Sequence, residues 1–208
     1  MHKKYLLLSI GFASFKLFAQ ETITDSANSK WNFSAWGEYF IVPKGESFFN
    51  PTFYADGKSI HLEGRYNYEA MNTASIFAGW NFNFGKTVKF EVTPMAGIVF
   101  GSTDGIATGL EIDITYKKFD LYSESEHVFD FAGKENNFFY MYSELAINPI
   151  KQLRLGILAQ RTRLYESDRE IQRGVLAEYY FRRCRAGLFY YSPFADDNFV
   201  ALSFSVDF

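Results

Sequence analysis

Residues 60–69 read Ile60-His61-Leu62-Glu63-Gly64-Arg65-Tyr66-Asn67-Tyr68-Glu69, with polar or charged side chains at every odd position and none at the even ones except the tyrosine hydroxyls. A period of two is that of an extended strand, whose successive side chains leave on opposite faces. The segment therefore has one greasy face and one charged face. The same pattern recurs at 31–42, 73–84, 88–100, 106–117, 119–129, 153–162 and 200–208, and more weakly at 49–56, 137–147, 172–181 and 183–191. Breaks rich in Gly, Asn, Asp, Pro or Lys separate these runs at 43–46, 56–58, 85–87, 102–105, 117–118, 133–136, 148–151, 166–170, 182–183 and 193–197. The pattern predicts an all-β chain of about twelve strands, each spanning roughly 9–11 residues. Ten strands is the alternative if 49–56, which contains Pro51, stays outside the sheet.

Which surroundings each face meets decides the architecture. Val88, Phe90, Val92, Pro94, Ala96, Ile98 and Phe100 give one face no charge over seven positions, while Lys89 and Glu91 lie on the other. A soluble sandwich could bury one such face, but nearly every strand has one and no amphipathic helix is visible to cover them. Lipid is the simplest cover, and open edges cannot be satisfied in lipid, so the prediction is a closed antiparallel transmembrane barrel over residues 31–208 with short connections. Aromatics near strand ends, at Trp31, Phe49, Phe82, Phe84, Phe119, Tyr190 and Tyr191, sit where interface girdles are expected.

Composition agrees. Of 208 residues 20% are aromatic, with 24 Phe and 14 Tyr, and the net charge of −3 offers no basic footprint for nucleic acid. The single cysteine, Cys184, allows no internal disulfide and no cysteine-rich metal framework. At the N-terminus Lys3 and Lys4 precede an apolar run ending near Phe15, with Ala19 before Gln20, the layout of a secretory signal peptide over 1–19. The run is too short to span a bilayer as a helix. No cysteine follows it, so no lipid anchor is expected, and 20–30 is read as a periplasmic segment. Removing Lys3, Lys4 and Lys16 from 21 basic residues against 24 acidic ones leaves a mature charge of about −6.

Val200, Leu202, Phe204, Val206 and Phe208 alternate to the end of the chain. This strand resembles the C-terminal insertion signal of Gram-negative outer-membrane barrels, with Phe204, Val206 and Phe208 as its marks. Leu17-Phe18-Ala19-Gln20, together with the segment from Asn50-Pro51-Thr52 through His61-Leu62-Glu63, resembles small outer-membrane barrels of Bacteroidota-type bacteria. That resemblance implies an outer-membrane location, with membrane lipid and the barrel-assembly machinery as partners. It implies no activity.

Charges on the lipid side would cost about 2–4 kcal/mol each near the midplane, so the charged face is assigned to the lumen. That set comprises Glu38, Asp56, His61, Glu63, Arg65, Glu69, Lys89, Glu91, Glu111, Asp113, Asp120, Glu124, Glu126, Glu144, Arg154, Glu178, Arg183, Arg185 and Asp207, with 13 carboxylates against five Lys or Arg. Tyr122, Phe138, Tyr140 and Tyr142 also face inward. Two readings of this interior stand: a salt-bridged filling that stabilises a closed barrel, and a narrow hydrated pore preferring cations. Short connections supply no obvious plug. His61 and Glu63 share a face with Arg65, which favours an ion-pair ladder over a metal site. Ser125 and His127, with Asn136 and Asn137 across the hairpin, raise an outer-membrane acyl hydrolase as an alternative, but Ser precedes His and no surrounding motif supports catalysis. No Gly-rich phosphate loop, zinc spacing or nucleophile elbow is present, so no cofactor is implied. A third reading is an accessory subunit docked against a larger outer-membrane complex.

Overall fold

Strands form where the alternation predicts them. The computed structural model describes residues 31–43, 45–164 and 170–208; the expected signal peptide and 20–30 segment lie outside the described residues. The strands are β1 (Asn32–Ile41), β2 (Phe48–Asp56), β3 (Ile60–Tyr66), β4 (Thr73–Trp80), β5 (Phe82–Phe84), β6 (Lys89–Gly101), β7 (Gly105–Tyr116), β8 (Phe119–Asp130), β9 (Phe138–Ile150), β10 (Leu153–Leu164), β11 (Glu170–Phe181), β12 (Cys184–Tyr191) and β13 (Phe199–Asp207). Every pairing is antiparallel. Except for β4 and β5, each strand pairs with its sequence neighbour, β1 pairs with β13, and β4 pairs with β6, which closes the circuit.

β4 and β5 both lie on β6 and are two parts of one strand, so twelve strands make the barrel. The interruption is Asn81, whose buried amide turns inward to accept from Thr93 Oγ1 at 2.7 Å and donate to Asp56 Oδ1 at 3.2 Å. The ten-strand alternative is overturned: β2 pairs with β1 from Phe48 to Asp56, and Pro51 is opposite Gly37. The sheet tolerates this proline because the β2–β3 ladder begins only at Thr52, so Pro51 sits where that side has run out of partners. Close inward packing fixes one glycine: a Cβ on Gly97 would stand 2.7 Å from the Phe77 ring and 2.6 Å from the Ile76 carbonyl oxygen.

The two rims differ. Turns 57–59, 85–88, 117–118, 151–152 and 182–183 are short, and the start of β1 and the end of β13 lie on their side. Lys117 and Arg182, at φ 56° and 55°, supply the left-handed backbone that two-residue hairpins need. The opposite rim carries 42–43, 45–47, 67–72, 131–137 and 192–198, and in barrels of this type the longer loops face outward from the cell.

Outside, the wall is an apolar belt. Ile76, Ile98 and Ile157 are 55, 55 and 59% exposed, far more contiguous greasy surface than a water-soluble protein leaves uncovered. Phe33, Trp80, Phe82, Phe84, Phe119, Tyr179 and Phe181 ring the short-turn rim. Tyr191 corrects the girdle expected from sequence: it is fully buried inside and stacks on Phe199 at 4.4 Å. A barrel closed this way should migrate differently before and after boiling on a detergent gel; identical migration, with the protein in the soluble fraction, would refute it.

Candidate functional site: the charged lumen

Alternation along β3 sends His61, Glu63 and Arg65 inward, and the neighbouring walls bring carboxylates to meet them. Arg65 sits among Glu63, Glu124 (Nη2 to Oε1, 3.2 Å), Glu126 (Nη1 to Oε2, 3.0 Å) and Glu69 (4.0 Å). Its guanidinium also lies over the rings of Tyr68 and Phe77, 4.1 and 4.5 Å from their centroids. His61 bridges downward: Nδ1 is 2.7 Å from Asp56 Oδ1 and Nε2 is 2.6 Å from Glu63 Oε1, an arrangement that an imidazolium satisfies by donating from both nitrogens. The Tyr122 hydroxyl lies 3.0 Å from Glu111 Oε1 and 3.2 Å from Glu124 Oε2.

A second cluster lies toward the short-turn rim. Arg154 donates from Nε and Nη2 to Asp120 Oδ1 at 3.0 and 2.8 Å and from Nη1 to Glu178 Oε2 at 2.6 Å, and Nη1 lies 2.7 Å from Glu144 Oε2. Asn148 donates to Asp120 Oδ2 at 2.6 Å, and Tyr142 to Glu144 Oε1 at 2.5 Å. Arg185 reaches Glu178 at 3.5 Å and stacks over Trp36, 4.2 Å from the ring centroid. Glu38 is fully buried, and among the described residues neither of its oxygens meets a donor.

The expected lumen set divides by depth. His61, Glu63, Arg65, Glu69, Glu111, Asp120, Glu124, Glu126, Glu144, Arg154, Glu178 and Arg185 are buried inside, with Glu38 and Asp56. Lys89 is exposed, and Glu91 and Asp113 are half-buried; these three share the inward parity but stand toward the short-turn rim. Arg183, in the 182–183 turn, and Asp207, at the end of β13, are exposed at the same rim. Because strands are tilted and unequal in length, parity gives a residue's side of the wall but not its height.

The loop 67–72 departs from expectation more sharply. Strand pattern was expected to run through Glu69, which would put Tyr68 on the greasy outer face. Instead Asn67 and Asn72, at φ 57° and 59°, turn the chain after Tyr66, and Tyr68, Glu69 and Ala70 fold into the barrel. Tyr68 donates to Glu124 Oε2 at 2.6 Å and packs edge-on to Tyr140. Ser75 donates to Glu69 Oε1 at 2.5 Å, and burial raises the Glu69 carboxyl above its usual range despite Arg65 and Ser75. A connection expected to leave the interior unplugged thus supplies part of its filling.

His61, Glu63 and Glu111 present ligand-type atoms all within 4.8 Å of one another. Each is engaged within the network, His61 by Asp56 and Glu63, Glu63 by Arg65, and Glu111 by Tyr122. Ser125 and His127 lie half-exposed on the outer face of β8, and among the described residues no hydrogen bond joins them. His127 packs on Phe129, while Asn136 and Asn137 are tied to Asp130 within their own hairpin.

This arrangement, a twelve-strand circuit with an apolar outside and a charged inside, has solved counterparts. The KdgM porin superposes with a TM-score of 0.60 at 10% identity, covering 84% of this chain and 99% of that one. The fold is that of an outer-membrane porin. A KdgM porin in complex with disordered oligogalacturonate gives 0.61 at 10% identity over 84% of this chain and 99% of that one, and the NanC porin 0.58 at 7% over 85% and 98%. No family model and no curated protein matches the sequence.

Within that porin fold the interior is tightly filled. Tyr122 and Tyr142 are 0% exposed, Arg154 and Glu124 1%, and Tyr140 2%, so no water-wide path touches these side chains. Composition carried no signal for this closure. It comes from large side chains meeting across the lumen.

Proposed function

We propose that this protein is an outer-membrane channel for small cations, closed at rest by its own luminal side chains and too narrow for sugars or larger solutes. The carrying observation is the charge balance of the buried lumen: among the described residues ten carboxylates face three arginines and His61. Stability alone does not account for such an interior, because replacing buried ion pairs by well-packed apolar groups is often neutral or stabilising. Glu38, buried with no donor at either oxygen among the described residues, has the environment of a carboxylate that a passing cation would neutralise. Low-dielectric walls concentrate the negative field along the axis, and carboxylate rings favour cations. Opening requires side chains to swing, with the hydrogen-bonded wall unchanged.

The solved porins share the fold. One is in complex with an oligogalacturonate, a uronate chain and hence a polyanion, which an acid-rich lumen would repel. The test is ion selectivity in a planar bilayer. The triple variant Glu124→Gln, Glu126→Gln, Glu144→Gln should lose most of the cation preference of the wild type; an unchanged preference would show that the current bypasses this network.

The accessory-subunit reading has one observation in its favour: Thr108, Ser123, Ser125, His127 and Ser143 put a polar stripe on the outer face of β7 to β9. Ser123 and Ser143 satisfy each other at 2.9 Å, which weakens it. Copurification of a larger barrel in mild detergent would support that reading over an autonomous channel.

A further inference from the structure

Among the residues whose side chains the structure describes, Arg161 and Arg173 are the only charged ones on the outer face of the strands. The other outward side chains described, from Phe33 on β1 to Val206 on β13, are apolar, aromatic, glycine, hydroxyl-bearing or His127. The two arginines are neighbours. Across the β10–β11 ladder Arg161 is opposite Ile171 and Arg173 opposite Ala159, a diagonal pair with side chains rooted roughly 7–8 Å apart. They also share a height: each stands eight positions from the short-turn end of its strand, marked by Leu153 and Phe181. At about 3.3 Å per residue and a tilt near 40°, that is roughly 20 Å above the lower rim, close to the top of a belt about 25 Å tall.

Their surroundings leave them available. Arg161 lies over the Phe139 ring, 5.8 Å from its centroid, and its buried Nε meets no acceptor among the described residues. No outward carboxylate exists among the described residues to pair with either. A charge in mid-membrane would be costly, but at this height long arginine side chains reach the headgroup layer, where guanidinium forks bind phosphate oxygens two at a time.

We propose that Arg161 and Arg173 form a binding site on the outer wall of the barrel for the phosphate groups of a phosphorylated lipid in the outer leaflet. The site rests on the outer-membrane location and orientation given above but not on conduction, because both side chains lie outside the lumen. It fixes the barrel's depth and rotation against the surrounding lipid.

The test measures lipid retention by native mass spectrometry, using folded protein exchanged from detergent containing diphosphorylated lipid A or, separately, phosphatidylethanolamine. Wild type should retain lipid A at least tenfold more than phosphatidylethanolamine, and Arg161→Gln/Arg173→Gln should abolish that difference. Arg182→Gln, at the opposite rim, should not change it. If the double variant fails to fold by the boiled-against-unboiled gel, the single variants and Arg173→Lys replace it. Each single variant should lose part of the preference, and lysine should restore less than arginine because it keeps the charge without the fork. Equal retention by wild type and the arginine variants would overturn the site. So would loss of bound lipid A in millimolar inorganic phosphate, which would make the arginines a site for free phosphate. Cation selectivity should be the same in the variants and the wild type, so failure here is distinct from failure of the channel.

Discussion

Replacing Arg65 by methionine should destabilise the barrel by about 3–5 kcal/mol, because it leaves a buried carboxylate cluster without its cation while roughly preserving volume. Glu124 and Glu126 lose their ion-pair partner, Glu63 is left with His61, and the Tyr68 and Phe77 rings lose the guanidinium between them. The measurement is the urea concentration at which the unboiled, faster or slower, gel form disappears. A further variant decides the cause: adding Glu63→Gln and Glu124→Gln to the methionine background should restore part of the loss, since the buried charges are then removed as well. A shift below about 1 kcal/mol for Arg65→Met would show that the cluster is wet and screened. Arg154→Met should behave similarly, as Arg154 joins Asp120, Glu144 and Glu178.

Deleting Phe208 should cut the amount of assembled barrel several-fold, far beyond the effect of one exposed side chain. Phe208 is 72% exposed, so it contributes little packing within the chain. Its backbone N–H donates to Phe33 O at 2.9 Å at the β1–β13 seam, and the outward ladder Leu202, Phe204, Val206, Phe208 ends there. The closing strand is where assembly must finish, and a charged replacement should be as damaging as the deletion. Quantifying the heat-modifiable form in outer-membrane fractions checks this; equal amounts of wild type and truncated protein would assign the residue no role in assembly.

The barrel was legible because a membrane wall is the simplest environment a strand can record. Lipid on one side and charge on the other impose a period of two, and 60–66 and 88–100 display it without interruption. Parity also placed Glu63, Arg65, Glu124 and Arg154 on the inner wall. It failed where the backbone left the strand: Asn67 at φ 57° reverses the parity count, so Tyr68 enters the lumen although its spacing put it outside. Tyr191 failed for a related reason, because an aromatic at a strand end suits a girdle or a luminal stack equally until the strand's height is known. Which carboxylates share one arginine was also beyond reach, since Glu124 and Glu126 meet Arg65 across a barrel whose shear the sequence does not state. The Arg161–Arg173 pair was hidden by the assumption that every charge points inward. Near the rim that assumption relaxes, as the cost of an outward arginine falls to about 0–1 kcal/mol.

The most direct test of the account is the reversal potential of the purified wild-type barrel in a planar bilayer across a tenfold KCl gradient. A small conductance reversing toward the potassium equilibrium potential is the predicted result, as expected for a lumen whose ten buried carboxylates outnumber its three buried arginines and His61. Reversal toward the chloride potential, a large conductance of weak selectivity, or no current at any voltage would each contradict it.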